Sequence, residues 1–309
     1  MAAADNASTP AIELDGIVKT YGRTTALDGL SLTVGRGELV GLLGPNGAGK
    51  TTAIKLLLGL ARPTRGSGRV LGAPLGDRAA RARIGYLPEL FRYQPWLTAR
   101  EVLALHAELA HLAVPRRVPA IDQALDWVGL TDRAGDAVGG FSKGMQQRLG
   151  LGVALLGDPE LILLDEPTSA IDPIGRTDVR GIVRSARDRG ATVILNSHLL
   201  TEVERVCDRV VILHHGKMLA SGPLDDVVAV DGVRVRVTDL DDAGRAAIKA
   251  FGPLAVDGDW LVVRPLDAAR IPDLVAAIVA AGGRVHAVEP WRGSLEARFL
   301  ELITGSTDA

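Results

Sequence analysis

Gly44-Pro45-Asn46-Gly47-Ala48-Gly49-Lys50-Thr51-Thr52 is the stretch from which the rest of the chain is read. It fits the phosphate-loop pattern G-x-x-x-x-G-K-[ST], with Gly44, Gly49, Lys50 and Thr51 at the fixed positions. Its flanks carry as much weight as the match. Leu39-Val40-Gly41-Leu42-Leu43 is a short apolar run of the kind that makes a buried strand. After the loop, Ala53, Ile54, Leu56, Leu57, Leu58 and Leu60, with charge only at Lys55, predict a largely buried helix. Strand, glycine-rich turn and helix start thus follow in the order a phosphate cradle needs. Glycines let successive backbone N–H groups converge on an anion, and the helix N-terminus adds partial positive charge there. In such a loop Lys50 reaches the β- and γ-phosphates, and the Thr51 hydroxyl ligates Mg²⁺. The motif in this setting predicts binding of a nucleoside triphosphate.

Matching acids lie farther along. Leu161-Ile162-Leu163-Leu164 is apolar, too short for a helix, and closes on Asp165-Glu166. That reads as a buried strand delivering carboxylates at its C-terminal edge, where open α/β sheets place their ligands. Asp165 suits Mg²⁺, and Glu166 suits a general base for water. Thr192-Val193-Ile194-Leu195-Asn196 is a second short buried strand, so His198 at its end falls on the same edge as Glu166. Phe141-Ser142-Lys143-Gly144-Met145 opens a helix with Leu149, Val153 and Leu156 on its buried side. Its serine and glycine make another anion-ready helix start.

Composition narrows the classes. The 309 residues allow one large domain and a small one. With 35 basic and 37 acidic residues and no basic stripe, nothing favours a nucleic-acid partner. Cys207 is the only cysteine, which excludes an intrachain disulfide and reads as a small apolar helix residue. Residues 1–10 are small and polar and do not read as a signal peptide. Mean hydropathy is +0.19, yet the longest apolar runs, 149–157 and 274–281, are far short of a bilayer span. Any membrane spans must come from another polypeptide.

Alternation over 11–35 predicts antiparallel strands around a turn that holds Tyr21. That tyrosine could stack on a base or simply belong to the turn. Short strands are expected near 68–71 and 84–87. Thr98 and Glu101 form a capping box for a helix over 98–113, and a second helix is expected over 121–128. His106 and His111 lack a third ligand at useful spacing and read as surface residues. A hairpin follows at 210–220, with His214-His215 in its turn. Beyond residue 222, strands at 233–237, 254–257, 260–263 and 284–288 interleave with helices at 243–251 and 268–281, and a last helix covers 294–304. The order β-α-β-β-α-β predicts a small ferredoxin-like α+β module over 230–309. Arg234 and Arg236 read as a solvated strand face.

Taken together, GPNGAGKTT, FSKGM, LILLDEP, the SAID run at 169–172 and Ser197-His198 resemble the nucleotide-binding subunit of ATP-binding-cassette (ABC) transporters over residues 11–222. The wording FSKGMQQR, with Pro88-Glu89 upstream, looks most like cassettes of ABC-2-type bacterial exporters. The resemblance implies an α/β fold: a RecA-like phosphate-loop ATPase core, an antiparallel β subdomain and an inserted helical subdomain at about 90–156. It implies hydrolysis of ATP with Mg²⁺, the ligands being Thr51, Asp165 and Glu89 and the catalytic side chains Glu166, His198 and Glu89. The whole loop from Gly44 to Thr52 would bind nucleotide, with Tyr21 on adenine. It further implies two cassettes packed head to tail, as a homodimer or heterodimer. Ser142 and Gly144 of one chain would then cap ATP on the other, with Asp172 at the seam. Partners would be polytopic membrane permease subunits, at the cytoplasmic face of the cell membrane. The sequence departs from the family pattern at Glu89, where glutamine is usual, at Lys143 and Met145 in the signature, and at Ala170-Ile171. The rival class is a non-transport ABC ATPase of translation, repair or chromosome organisation. Such proteins usually carry two cassettes, coiled-coil inserts or zinc sites, none of which is seen in this chain.

Overall fold

The computed structural model describes residues 9–169, 171–228 and 230–305. Ala170 and the N-terminal residues 1–8, on which two of the sequence readings fall, lie outside the described residues. The chain divides into two compact units at Leu224/Asp225.

The first unit begins with β1 (Ile12–Tyr21), β2 (Thr24–Val34), β3 (Leu39–Leu43) and α1 (Lys50–Leu57). β4 (Arg65–Val70), β5 (Ala73–Pro74), α2 (Arg78–Arg81) and β6 (Ile84–Leu87) follow. Next come α3 (Ala99–Leu109), α4 (Val114–Trp127), α5 (Lys143–Leu155), β7 (Leu161–Asp165) and α6 (Pro173–Asp188). β8 (Thr192–Asn196), α7 (Leu200–Val206), β9 (Arg209–His214) and β10 (Lys217–Pro223) complete it. One sheet is antiparallel, in the order β2-β1-β4-β5. Its register sets Ile12 opposite Val34 and Leu14 opposite Leu32, so the alternating apolar residues share one face. The other sheet runs β10-β9-β3-β8-β7-β6 and is parallel except for the edge strand β10. Every residue of β3, β7 and β8 is buried, as strands covered on both faces require, which is why they read as unbroken apolar runs. Parallel pairing also brings the C-terminal ends of β3, β7 and β8 to one edge.

In the first unit, three helix boundaries differ from the sequence reading. α1 stops at Leu57, and Leu60 is 65% exposed rather than buried. α3 carries the expected capping box, Thr98 Oγ1 accepting from Glu101 N (3.2 Å) and Glu101 Oε2 from Thr98 N (2.8 Å). It ends at Leu109, however, because the chain reverses through His111 at φ +55°. α4 starts at Val114, well before residue 121. Pro115 sits in its first turn, where the missing N–H costs no helix bond, and burial of Ile121, Ala124 and Leu125 holds the helix despite Pro119.

α8 (Leu224–Val227) crosses the division between units. The second unit contains β11 (Val230–Thr238), α9 (Asp242–Lys249), β12 (Leu254–Asp257), β13 (Trp260–Val263), α10 (Ile271–Ala280), β14 (Arg284–Arg292) and α11 (Leu295–Gly305). Its sheet is antiparallel, in the order β12-β13-β11-β14. Val233, Val235, Leu261 and Val263 pack with Ile248, Leu274 and Ile278 into a core of its own. Arg234 and Arg236 alternate with these core valines. Arg234 is ion-paired to Glu289 at 2.6 Å, and both guanidinium groups lie over the Trp260 ring, 4.6 and 5.6 Å from its centroid. Among the described residues no helix is long and apolar enough to cross a membrane.

Candidate functional site

The loop between β3 and α1 takes a path that only glycine permits at two points. Gly44 has φ +153°, and a Cβ there would fall 2.3 Å from the Leu213 carbonyl oxygen. Gly49 has φ +106°, and its Cβ would fall 2.5 Å from the Ala26 oxygen. Gly49 is also the N-cap of α1, with no side chain to satisfy the helix's first amides, which leaves them for an anion. Ala48 N donates to the Pro45 carbonyl (3.1 Å) and closes the loop. Lys50 curls back along it, Nζ donating to the carbonyls of Gly44 (2.5 Å) and Pro45 (3.1 Å). Burial pulls the Lys50 pKa down, while the charges of Glu166, Asp165 and Glu89, in that order, push it up. The ammonium therefore already lies in the field of the acids read from sequence.

Those acids face the loop across a cleft of about 670 Å³. It is lined by residues 46–52, Glu89, Asp165, Glu166, Asn196 and His198, together with Thr24, Thr25 and Ala26. β7 and β8 pair in register, with Asp165 opposite Asn196. Asn196 Nδ2 donates to Asp165 Oδ1 at 2.5 Å, and the Asn196 carbonyl accepts from Glu166 N at 2.8 Å. Burial raises the Asp165 pKa, and the Asn196 hydrogen bond works against that rise. Glu166 holds φ +52°, a strained value for a side chain with a Cβ, at the point where the chain leaves the sheet. Its carboxylate is almost fully buried. Oε1 accepts from the His198 backbone N–H at 2.9 Å. Oε2 lies 2.7 Å from His198 Nδ1 but without an aligned hydrogen bond.

Other residues named from sequence do not meet at this cleft. Gly44 and Pro45 support it from behind by holding Lys50. Tyr21 is 47% exposed, with Lys19 Nζ 4.7 Å from its ring centroid, and it does not line the cleft. Ser142 caps α5, its Oγ accepting from Met145 N (3.2 Å), with Gly144 in the first turn. Asp172 caps α6, accepting from Gly175 N (2.7 Å). Neither cap reaches the cleft of its own chain. Thr24, Thr25, Ala26 and Asn196 also line the cleft, though none belongs to the motifs named from sequence. For Asn196 a signal was present: an amide ends a strand that is otherwise apolar beyond its first residue.

His106 is half-buried, edge-on to Tyr93 at 5.8 Å, and burial lowers its pKa. His214 closes β9 and is buried, so only His215 belongs to the turn. Cys207 is buried, and that pushes its thiol pKa up. Among the described residues no His, Cys, Asp and Glu side chains cluster into a three-ligand metal site. Thr51, Asp165 and Glu89 line the cleft and are the candidates to hold a cation together with phosphate oxygens.

The chain is similar to known proteins over much of its length. The family profile described as ABC transporter matches residues 27–169. An ABC transporter ATP-binding protein of Nostoc sp., named as uncharacterized, is 41% identical over 91% of this chain and 84% of its own length. The Nod factor export ATP-binding protein I of Paraburkholderia xenovorans is 37% identical, covering 79% of this chain and 77% of the relative. A solved dimeric cassette bound to ADP and Pi superposes with a TM-score of 0.62 and 25% identity, over 69% of this chain and 99% of that one.

Proposed function

Because the chain belongs to the ABC transporter ATP-binding family, we propose that it is the motor subunit of an ABC-2-type exporter, acting as a dimer beneath separate permease subunits. The chain is an ATPase. The observation that carries the finer reading is the split within one chain. Lys50, Asp165 and Glu166 converge on one cleft, while Ser142, Gly144 and Asp172 lie away from it. Such a chain has half of two composite sites, which a head-to-tail pair would complete. Homodimer or heterodimer, the pair would sit at the cytoplasmic face of the membrane. The exporter assignment draws on the Nod factor export relative and on relatives named for bacitracin transport and for linearmycin resistance, at comparable identity.

The cleft fits a nucleoside triphosphate with a divalent cation. Among the described residues Asn196 Oδ1 is buried without a hydrogen-bond donor, Lys50 Nζ is hydrogen-bonded to carbonyls of its own loop, and a Cβ at Gly44 or Gly49 would clash with a neighbouring carbonyl. Mg²⁺, held by Thr51, Asp165 and Glu89, would offset phosphate charge. Lys50 exchanges its carbonyl partners for the β- and γ-phosphates. Glu166, held by the His198 N–H, takes the proton of the attacking water. Tyr21 is assigned to adenine. In the second unit, the strand order β12-β13-β11-β14 with α9 and α10 supports a ferredoxin-like module. Every cleft-lining residue precedes Leu224, so a chain ending there is expected to bind ATP within about twofold of the full-length Kd, measured by calorimetry. Loss of binding on truncation would make the module part of the cassette instead.

The transport reading is tested by affinity purification from detergent-solubilised membranes of cells producing the tagged full-length chain. Recovery with a stoichiometric polytopic protein is expected. Recovery only with ribosomes, nucleic acid or no partner would overturn it.

A further inference from the structure

We propose that Asn196 is a positioning residue of the ATPase site: it fixes the orientation of Asp165 from the neighbouring strand and so sets the affinity of the site for its divalent cation. The inference rests on the reading of Asp165 as a cation ligand given above.

β8 is buried along its whole length, and burying an amide there is costly unless the amide is hydrogen-bonded. At 4% exposure, Asn196 spends that burial on the two acids. Its side chain donates to Asp165 Oδ1, and its backbone carbonyl accepts from Glu166 N. The amide's orientation follows from chemistry: a carboxylate accepts only, so the NH₂ must face Asp165. One carboxylate oxygen is thereby engaged, and its partner Oδ2 remains for a cation. The same assignment leaves Asn196 Oδ1 buried and, among the described residues, without a donor. A purely structural asparagine would be expected to satisfy both ends, since buried polar atoms in folded proteins nearly always find partners. An unpaired acceptor beside the acids is the state of a group built to receive a hydrogen bond, as from a cation-bound water, when the site is loaded. Partners that orient metal ligands in this way characteristically change metal affinity by about 10- to 100-fold when removed.

The test compares full-length wild type, Asn196→Leu, Asn196→Ala and Asp165→Asn. Mn²⁺ binding in the presence of ATP is measured by electron paramagnetic resonance, and metal-free ATP binding by fluorescence of a trinitrophenyl-ATP probe in EDTA. Asn196→Leu removes the donor but keeps the backbone carbonyl that holds Glu166. It is expected to weaken ATP-dependent Mn²⁺ binding about 10- to 100-fold and to leave metal-free ATP binding unchanged. The Mg²⁺ concentration for half-maximal hydrolysis should rise in parallel. Asn196→Ala removes the donor without adding charge or bulk, so it should show the same loss even if the leucine variant folds poorly. If either folded variant binds Mn²⁺ as wild type does while Asp165→Asn does not, the positioning role of Asn196 is wrong and the ligand reading stands. If Asp165→Asn itself binds Mn²⁺ normally, the parent reading has failed. Equal weakening of metal-free and metal-dependent binding would make Asn196 a packing residue only.

Discussion

Replacing Lys50 by alanine is expected to weaken ATP binding about 10- to 100-fold, and hydrolysis should fall below detection. The magnitude follows from what the side chain must do. Nζ already holds two carbonyls of its own loop, and in the proposed role binding exchanges those neutral acceptors for anionic phosphate oxygens. A hydrogen bond to a charged group is worth roughly 1.5–3 kcal/mol net, and each 1.4 kcal/mol is tenfold in affinity. Removing the ammonium also leaves Asp165, Glu166 and Glu89 facing the phosphates without the cation whose pKa they raise. Turnover should therefore suffer more than binding. Lys50→Arg is expected to restore little, because a planar fork does not fit where a single ammonium reaches back between two carbonyls. Calorimetry with ATP and a phosphate-release assay would check this. An affinity within about twofold of wild type would mean that Lys50 is a loop brace and not a phosphate ligand.

How far the site could be read from the sequence depended on how local its causes are. The loop from Gly44 to Thr52 was legible because every constraint on it is local: a strand before, a helix after, and positive φ at glycines. The acids were legible because a fully buried strand leaves no polar position except its end. The role of Asn196 is not legible in the sequence, because it depends on a parallel register that pairs it with a residue 31 positions away. Thr24, Thr25 and Ala26 reach the cleft through the path of β2, which periodicity does not reveal. The helix ends at Leu57, Leu109 and Val114 were missed where local rules gave way to burial or to a backbone reversal. Ser142, Gly144 and Asp172 are a different case. Each is an N-cap or first-turn residue within its own chain, so the local geometry alone gives them only a structural task.

Glu166→Gln tests the contribution proposed for a second copy of the cassette. In the wild type, Oε1 is held by the His198 N–H, and the backbone is fixed by Glu166 N donating to Asn196 O and Ser169 N donating to Glu166 O. An amide of the same shape keeps the oxygen that accepts from His198, so the strained φ and the loop path should survive. What it loses is the lone pair that, in the role proposed for Glu166, takes a proton from water. General-base catalysis contributes about 10²–10⁴-fold, so hydrolysis should fall by that factor while ATP binding persists. Removing a negative charge beside the phosphates should, if anything, tighten binding. With hydrolysis blocked, a composite site cannot reopen by discharging its nucleotide, and the closed pair should accumulate. Size-exclusion chromatography with light scattering is expected to show an ATP- and Mg²⁺-dependent dimer for Glu166→Gln. Ser142→Ala or Gly144→Ala in the same background should abolish it without lowering ATP affinity in the monomer, since neither residue reaches the cleft of its own chain. A Glu166→Gln protein that stays monomeric with ATP and Mg²⁺ at high concentration would break the composite-site reading for the isolated chain. A dimer that survives loss of Ser142 and Gly144 would mean that the chains meet through some other surface.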